Sequence, residues 1–539
     1  MSDTAQAQKH DRSIYALLIV IALSITAGRI AVVTSREGTT AFLSANDRSR
    51  WATIACLVER GTYAIDEQIA ITDPIKRNRR PWNSIDKVRH IGRDGKQHYY
   101  SSKPPLLPTM IAGVYWTVRS ITGMTLTDQP IYLARIILGL VNLPLLGIFL
   151  VATILSIDQV AKNDWTRRVG AACCCFGTML MPFSISLNNH LPAATATAVA
   201  MWIYLMMSER KRRSSKDESA RSDSFLWYFL AGIAAAMAAA NELPALSMMV
   251  FWIALFGWLS RKSILPMGLG VLVVAAGFFG TNWWAHESLK PAYAHRGNGD
   301  KIEQYAGSSD LTEPDANVIE SISETLKSEQ LMEADESIKI DDSDEEDRWV
   351  ARVGERQFAV LKATESWQLA HWDDWYEYSD SYWRPENLRG VDRGESSRAV
   401  YLLHMTVGHY GLFSLTPIWL LVPVGLGIGL SVGGWDQRRM VAAILVATLV
   451  CSLFYLARPE IDRNYGGVSV CFRWLLWFAP LWLFVSSFAL NGCSTSKFCR
   501  GLTLVLLAMS VFSMSTALSS PWQSPWLYRF WLFLGWIEG

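Results

Sequence analysis

The sequence predicts an all-α, polytopic membrane protein carrying two large outer loops. Three observations predict it. Half of the 539 residues are hydrophobic, 24 are Trp and only 18% are charged, a balance unlike that of ordinary soluble domains. Apolar runs near the length of a membrane-spanning helix, about 20 residues, recur along the chain. Lys and Arg gather in alternate connecting loops, the asymmetry that orients such helices. A net charge of +1 says little about partners, since charge distribution is the informative quantity; no nucleic-acid partner is expected.

Residues 1–13 form a cytoplasmic N-terminus in which Lys9 and Arg12 precede the first apolar run, 14–34. That run is long and lacks an A-x-A cleavage pattern, so an uncleaved span is expected rather than a signal peptide. Residues 35–130 form a first outer loop. Within it, PPLLPTMIAGVYWTVRS is apolar but short and interrupted by Arg119, which reads as a helix lying at the interface. Spans 2–7 follow over 131–284, as runs at 131–156, 169–187, 191–208, 224–240, 244–259 and 264–284. A second outer loop covers 285–399, and spans 8–11 occupy 400–518, with runs at 400–431, 438–457, 470–489 and 501–518. Residues 519–539 form an outer tail. The total is about eleven spans.

Charge fixes the expected orientation. With 105–120 at the interface, the inside loops hold Lys162, Arg167 and Arg168, then Arg210 to Arg213 with Lys216 and Arg221, then Arg261 and Lys262, Arg438 and Arg439, and Lys497 and Arg500. The short outside turns at Asn188 to His190 and at Asn241 and Glu242 carry no Lys or Arg. Counting 105–120 as a span would turn every basic cluster outward, against the positive-inside rule.

The second outer loop contains ten acids against one base, Lys339, between Glu329 and Asp347, a pattern expected of a solvated or disordered surface. ESWQLAHWDDWYEYSDSYW follows, dense enough in aromatics for a layer on the outer leaflet or a sugar-stacking surface. Cys173, Cys174 and Cys175 lie inside an apolar run and no C-x-x-C pair exists, so the cysteines read as small apolar fillers. No metal site or cofactor is expected: histidine spacing does not suit one, and the acids lack a calcium-loop pattern.

Polar groups collect at the outer ends of the spans. Asp47, in SANDRSRW, could serve as a general base at the water–membrane boundary, with Arg48 and Arg50 favouring its ionised form; it could equally cap the helix that follows. In YSSKPPL, consecutive prolines fix the entry of an apolar helix and set Lys103 at the membrane surface, to meet a phosphate or to snorkel toward headgroups. In RNYGGVSVCFRWLLW, Gly466 and Gly467 permit close backbone approach, and Arg473 enters the apolar run, where such a residue faces a cavity or an anion. A guanidinium suits phosphate; pairing with Glu460 or Asp462 is the competing explanation. Arg50, Tyr100, His190, Glu242 and His409 complete the candidate cavity lining together with the two glycines.

One span, an outside Asp followed by a helix and G-x-Y, and then Y-x-x-K-P-P-L together resemble the bacterial membrane glycosyltransferases of the GT-C fold, the group of protein O-mannosyltransferases and the aminoarabinose transferase. HYGLFSLTP at 409–417 and GGVSVCFR at 466–473 add to the resemblance. It implies inverting transfer of a hexose or pentose from a polyprenyl-phosphate donor to a lipid, glycan or protein acceptor, on the outer face of a bacterial inner membrane. It further implies Asp47 as catalytic base and Lys103, with Arg473, as ligands of the donor phosphate. Relatives carry a second acid after the Asp where this chain has Arg48, which removes support for a divalent metal. A transporter or flippase of lipid-linked sugars, or a non-catalytic assembly protein, is the alternative; midplane charges and two-half symmetry, expected of a transporter, are not evident.

Overall fold

The computed structural model describes residues 2–73, 78–214, 224–306 and 313–537, with side chains from residue 12 onward except that of Ser214. Lys216, Arg221 and the Lys9 side chain, counted among the inside charges, lie outside these. The chain runs α1 (Ser2–Val32), α2 (Ala45–Glu59), α3 (Asp66–Ala70), a hairpin of β1 (Lys87–Ile91) and β2 (Gln97–Ser101), then α4 (Leu106–Thr122), α5 (Pro130–Asp158), α6 (Asp164–Phe176), α7 (Leu180–Phe183), α8 (His190–Ser214), α9 (Phe225–Asn241), α10 (Leu246–Leu259) and α11 (Ile264–His286). It continues through β3 (Asn298–Ala306), α12 (Ala316–Ser328), β4 (Lys339–Asp342), β5 (Arg348–Val353), β6 (Arg356–Ala363) and β7 (Ser366–Trp372). The last elements are α13 (Arg398–Thr406), α14 (Leu412–Leu415), α15 (Leu421–Val432), α16 (Trp435–Ala457), α17 (Ala479–Cys493), α18 (Lys497–Ala517) and α19 (Trp526–Phe533).

Among the described residues, seven helical segments are long and apolar enough to cross a membrane: Arg12–Val32, Pro130–Asp158, His190–Arg213, Arg261–His286, Trp435–Ala457, Arg473–Cys493 and Lys497–Ala517. Phe225–Asn241, Leu243–Leu259 and Pro417–Val432 are apolar but shorter. The expected count of about eleven is not reached by this measure, for local reasons. The run at 169–187 breaks after α6 at Gly177, where a Cβ would sit 2.8 Å from the Cys173 carbonyl oxygen. The run at 400–431 breaks around Gly408, Gly411 and Pro417; a Cβ at Gly411 would fall 2.3 Å from Ser414 Oγ, and Pro417 has no N–H to continue a helix. Irregular backbone at this depth is tolerated when protein surrounds it, and Tyr410 and Leu415 are fully buried.

The chain divides into two compact units, one of Met1–Asp47, Gly113–Phe278 and Arg389–Gly539, the other of Arg48–Ala112 and Phe279–Leu388. In the first, small residues let helices approach closely, as they do where lipid removes the hydrophobic drive between helices. A Cβ at Gly232 on α9 would lie 2.1 Å from the Met267 carbonyl oxygen of α11, and one at Gly270 on α11 would lie 2.3 Å from Phe229 O of α9. Gly425 on α15 does the same against Val485 of α17, at 2.2 Å.

The second unit corrects the all-α expectation. Its β3-β7-β6-β5-β4 sheet is antiparallel throughout, and Val318, Ile322 and Leu326 of α12 pack on it against Trp349, Phe358, Val360, Trp367 and Leu369. The acidic block is therefore largely folded. Inside the acidic window Lys339 meets Asp341 at 2.8 Å, and further counter-charges come from outside it: Arg348 meets Glu345, Asp374 and Glu377, Arg352 meets Asp341, and Arg384 meets Asp344. The aromatic segment is likewise not a surface layer over its length. Trp367 lies in the sheet core, and Trp375 and Tyr376 join Val88, Tyr100 and Ala292 in a second small core.

Candidate active site

In the first unit, Asp47 is the third residue of α2 and its side chain is fully buried. Its Oδ2 accepts from Leu43 N at 2.9 Å and its Oδ1 from Ser44 N at 2.8 Å, with Ser44 Oγ at 3.2 Å. Asp47 N donates in return to Ser44 Oγ at 3.1 Å. This is a reciprocal capping box, so the capping geometry weighed for Asp47 is present. Three donors converge on the carboxylate, whose two oxygens offer about four acceptor sites.

The same unit joins residues that the sequence left on separate turns. His190 Nδ1 lies 2.5 Å from Glu242 Oε1, and Arg473 Nη1 lies 2.8 Å from His190 Nε2. Because a guanidinium only donates, His190 Nε2 accepts from it, and Nδ1 donates to Glu242. Asn189 Nδ2 also donates to Glu242 Oε1, at 2.7 Å. Arg473 Nε donates to the Gly466 carbonyl at 2.6 Å, and its guanidinium lies 5.0 Å from the Trp522 ring centre. Gly466 has φ +93°, and a Cβ there would stand 2.6 Å from Arg473 Nε. The glycine thus makes room for the arginine, where the sequence suggested room for a ligand. Gly467, at φ +71°, shares with Gly466 the Asn464 side-chain acceptor. Asp462 instead lies 3.2 Å from Arg458, and Glu460 lies 3.9 Å from Arg463. His409 belongs to an aromatic cluster, stacked on His404 at 4.0 Å and packed edge-on to Tyr410, Tyr528 and Trp531.

In the second unit, Lys103 Nζ sits 3.1 Å from Asp86 Oδ1. The Asp86 carbonyl accepts from Ser49 Oγ at 2.6 Å and from Ser102 N at 3.2 Å, and Ser49 Oγ is 2.5 Å from Ser101 Oγ. Lys103 is thereby oriented where β2 ends and the Pro104–Pro105 entry to α4 begins. Sequence reasoning missed Asp86: NSIDKV has no motif, and only strand pairing brings it beside Lys103. Arg50 is buried on α2, and Tyr100, in β2, stacks on His90 at 4.2 Å. Among the described residues no group of three or more His, Cys, Asp or Glu side chains is placed to hold a metal ion.

No family model and no curated protein matches the chain. Among solved structures it is similar to the Archaeoglobus fulgidus oligosaccharyltransferase tethered with an acceptor peptide, with a TM-score of 0.43 and 11% identity over 97% of this chain and 57% of that one. It is also similar to the same organism's AglB in complex with an inhibitory peptide and a dolichol-phosphate (TM-score 0.43, 11% identity, 95% of this chain and 56% of that one). A third likeness is to the S. cerevisiae protein O-mannosyltransferase Pmt1–Pmt2 complex bound to the sugar donor (TM-score 0.44, 11% identity, 97% of this chain and 92% of that one). These neighbours are GT-C-fold glycosyltransferases. The chain spans little more than half the length of the oligosaccharyltransferase.

Proposed function

We propose that the chain is an integral-membrane, inverting glycosyltransferase that moves a sugar from a polyprenyl-phosphate donor to an acceptor on the outer face of the membrane. The observation that carries this reading is the Arg473–His190–Glu242 chain. A guanidinium at the start of an apolar segment is held by a histidine acceptor and a backbone carbonyl, which fixes its fork in advance of an anionic ligand. In the reaction, the acceptor hydroxyl oxygen bonds to the anomeric carbon as the bond from that carbon to the phosphate oxygen breaks. The hydroxyl proton passes to Asp47, and the lipid phosphate leaves with the bonding electrons. Lys103 and Arg473 stabilise its developing charge. The basic loops on alternate helix ends support a cytoplasmic N-terminus.

The test is incubation of the purified protein with polyprenyl-phosphate sugars, following label into acceptor or water. Turnover of none of these donors overturns the reading. Lys103→Ala should weaken donor binding by about tenfold or more, about 1.4 kcal/mol, and unchanged donor dependence would remove Lys103 from the phosphate site. Gly466→Ala should lose donor-dependent turnover through displacement of Arg473. Gly467→Ala is its control: it shares the positive φ, but its Cβ would meet only Asp392 Oδ1, at 3.6 Å. Equal losses in the two variants would mean that backbone strain, of order 1–3 kcal/mol, and not the arginine, is responsible.

A further inference from the structure

The second unit contains a cleft of about 510 Å³ whose lining includes Arg60, Asp66, Arg93, Asp94, Tyr100 and Trp284. It is built from the turn after α2, where Gly61 takes φ +72°, the start of α3, the β1–β2 loop and the end of α11. We propose that this cleft is a saccharide-binding subsite, taking a neutral glycan as the acceptor; the acceptor role rests on the transferase reading above, whereas saccharide binding does not.

Four observations carry it. First, the charges are mixed and nearly balanced: Arg60 and Arg93 face Asp66, Glu67 and Asp94 across one cleft. A phosphate or anionic headgroup would meet three carboxylates there, whereas sugar hydroxyls both donate and accept and match both signs. Second, the polar groups are positioned and retain capacity. His98 Nδ1 lies 3.1 Å from Asp66 Oδ2 and its Nε2 lies 3.0 Å from Asp94 Oδ2. Asp66 Oδ1 accepts from Tyr99 N and Asp94 Oδ1 from Lys96 N, both at 3.1 Å. A carboxylate has about four acceptor sites, so each keeps some for a ligand. Arg60 holds Glu67 through Nε and Gln68 through Nη1.

Third, the Tyr100 side chain is only 6% exposed, yet its hydroxyl makes no hydrogen bond among the described residues. Tyr100 lines the cleft, so this hydroxyl can both donate to and accept from a sugar hydroxyl. Gly92 is part of the same arrangement, because a Cβ there would stand 2.7 Å from the Tyr100 hydroxyl. Fourth, the Trp284 ring is 68% exposed at the cleft and offers the flat apolar face on which the C–H side of a pyranose packs.

The experiment uses the full chain in nanodiscs, titrated with maltotriose, cellotriose, chitotriose, mannotriose and a uronic-acid trisaccharide. Inorganic phosphate and phosphatidylglycerol vesicles serve as anionic probes. At least one neutral trisaccharide should bind, and Asp94→Asn and Trp284→Ala should each weaken it about tenfold, with the melting temperature and donor hydrolysis by water unchanged. Binding of no saccharide, equal binding by both variants, or preference for phosphate or vesicles overturns the subsite. Saccharide binding without turnover of any donor overturns the transferase reading alone. Donor turnover without saccharide binding overturns the subsite alone.

Discussion

Asp47→Asn should lower sugar transfer by about 10²–10⁴-fold, the contribution of a positioned general base, while donor binding stays near its original value. The substitution is nearly isosteric but turns one acceptor oxygen into a donor NH₂ facing the N–H of Leu43 or Ser44, both of which Asp47 now accepts from. Loss of that cap should cost about 1 kcal/mol, a modest fall in melting temperature. Ser44→Ala separates the two roles. It keeps the carboxylate and removes the hydroxyl that takes part in the capping box, so it should cost similar stability and leave transfer within a few-fold. Parallel losses of transfer in both variants would reduce Asp47 to a helix cap, and full activity in Asp47→Asn would remove it from the mechanism.

The largest stability effect should come from Arg348→Met, at about 3–5 kcal/mol, because removing one partner strands the other charges in a buried site. Arg348 has a side chain 1% exposed and makes ion pairs with Glu345 at 3.3 Å, with Asp374 at 3.2 Å and with Glu377. It also donates to Ser343 Oγ at 2.7 Å and faces the Trp372 ring. Burial already pushes the Glu377 carboxyl up, and Arg348 is the chief influence holding it down. Hydrogen exchange should show β5 and β6 losing protection in Arg348→Met, and adding Glu377→Gln should restore part of it. Unchanged protection in the single variant would show that the sheet does not depend on this arginine.

Both predictions mark where the sequence was legible. The apolar periods, the capping pattern around Ser44 and Asp47, and the prolines after Lys103 are local features, and the helices that begin at Ala45 and Leu106 follow from them. The acidic block keeps the solvated surface expected of it, with Glu329, Glu333, Asp335 and Glu345 to Asp347 exposed, but it is ordered rather than disordered because its charges do not act within one window. Arg348, Arg352 and Arg384 lie after it in sequence and reach it only through strand pairing and the return of the chain beyond β7.

Thus the sequence alone determined the membrane-spanning character, the positions of most apolar helices and where prolines and basic residues meet them, since hydropathy, proline placement and charge are properties of short stretches. Tertiary structure decided what those residues hold. It joined His190 to Glu242 and Arg473 across separate turns, turned Gly466 from a ligand approach into room for an arginine, gave Lys103 its partner Asp86, and drew His409 into an aromatic cluster. The two contacts of His190 reach across 52 and 283 residues of sequence. Such pairings depend on how helices and strands pack, which neither spacing nor composition encodes.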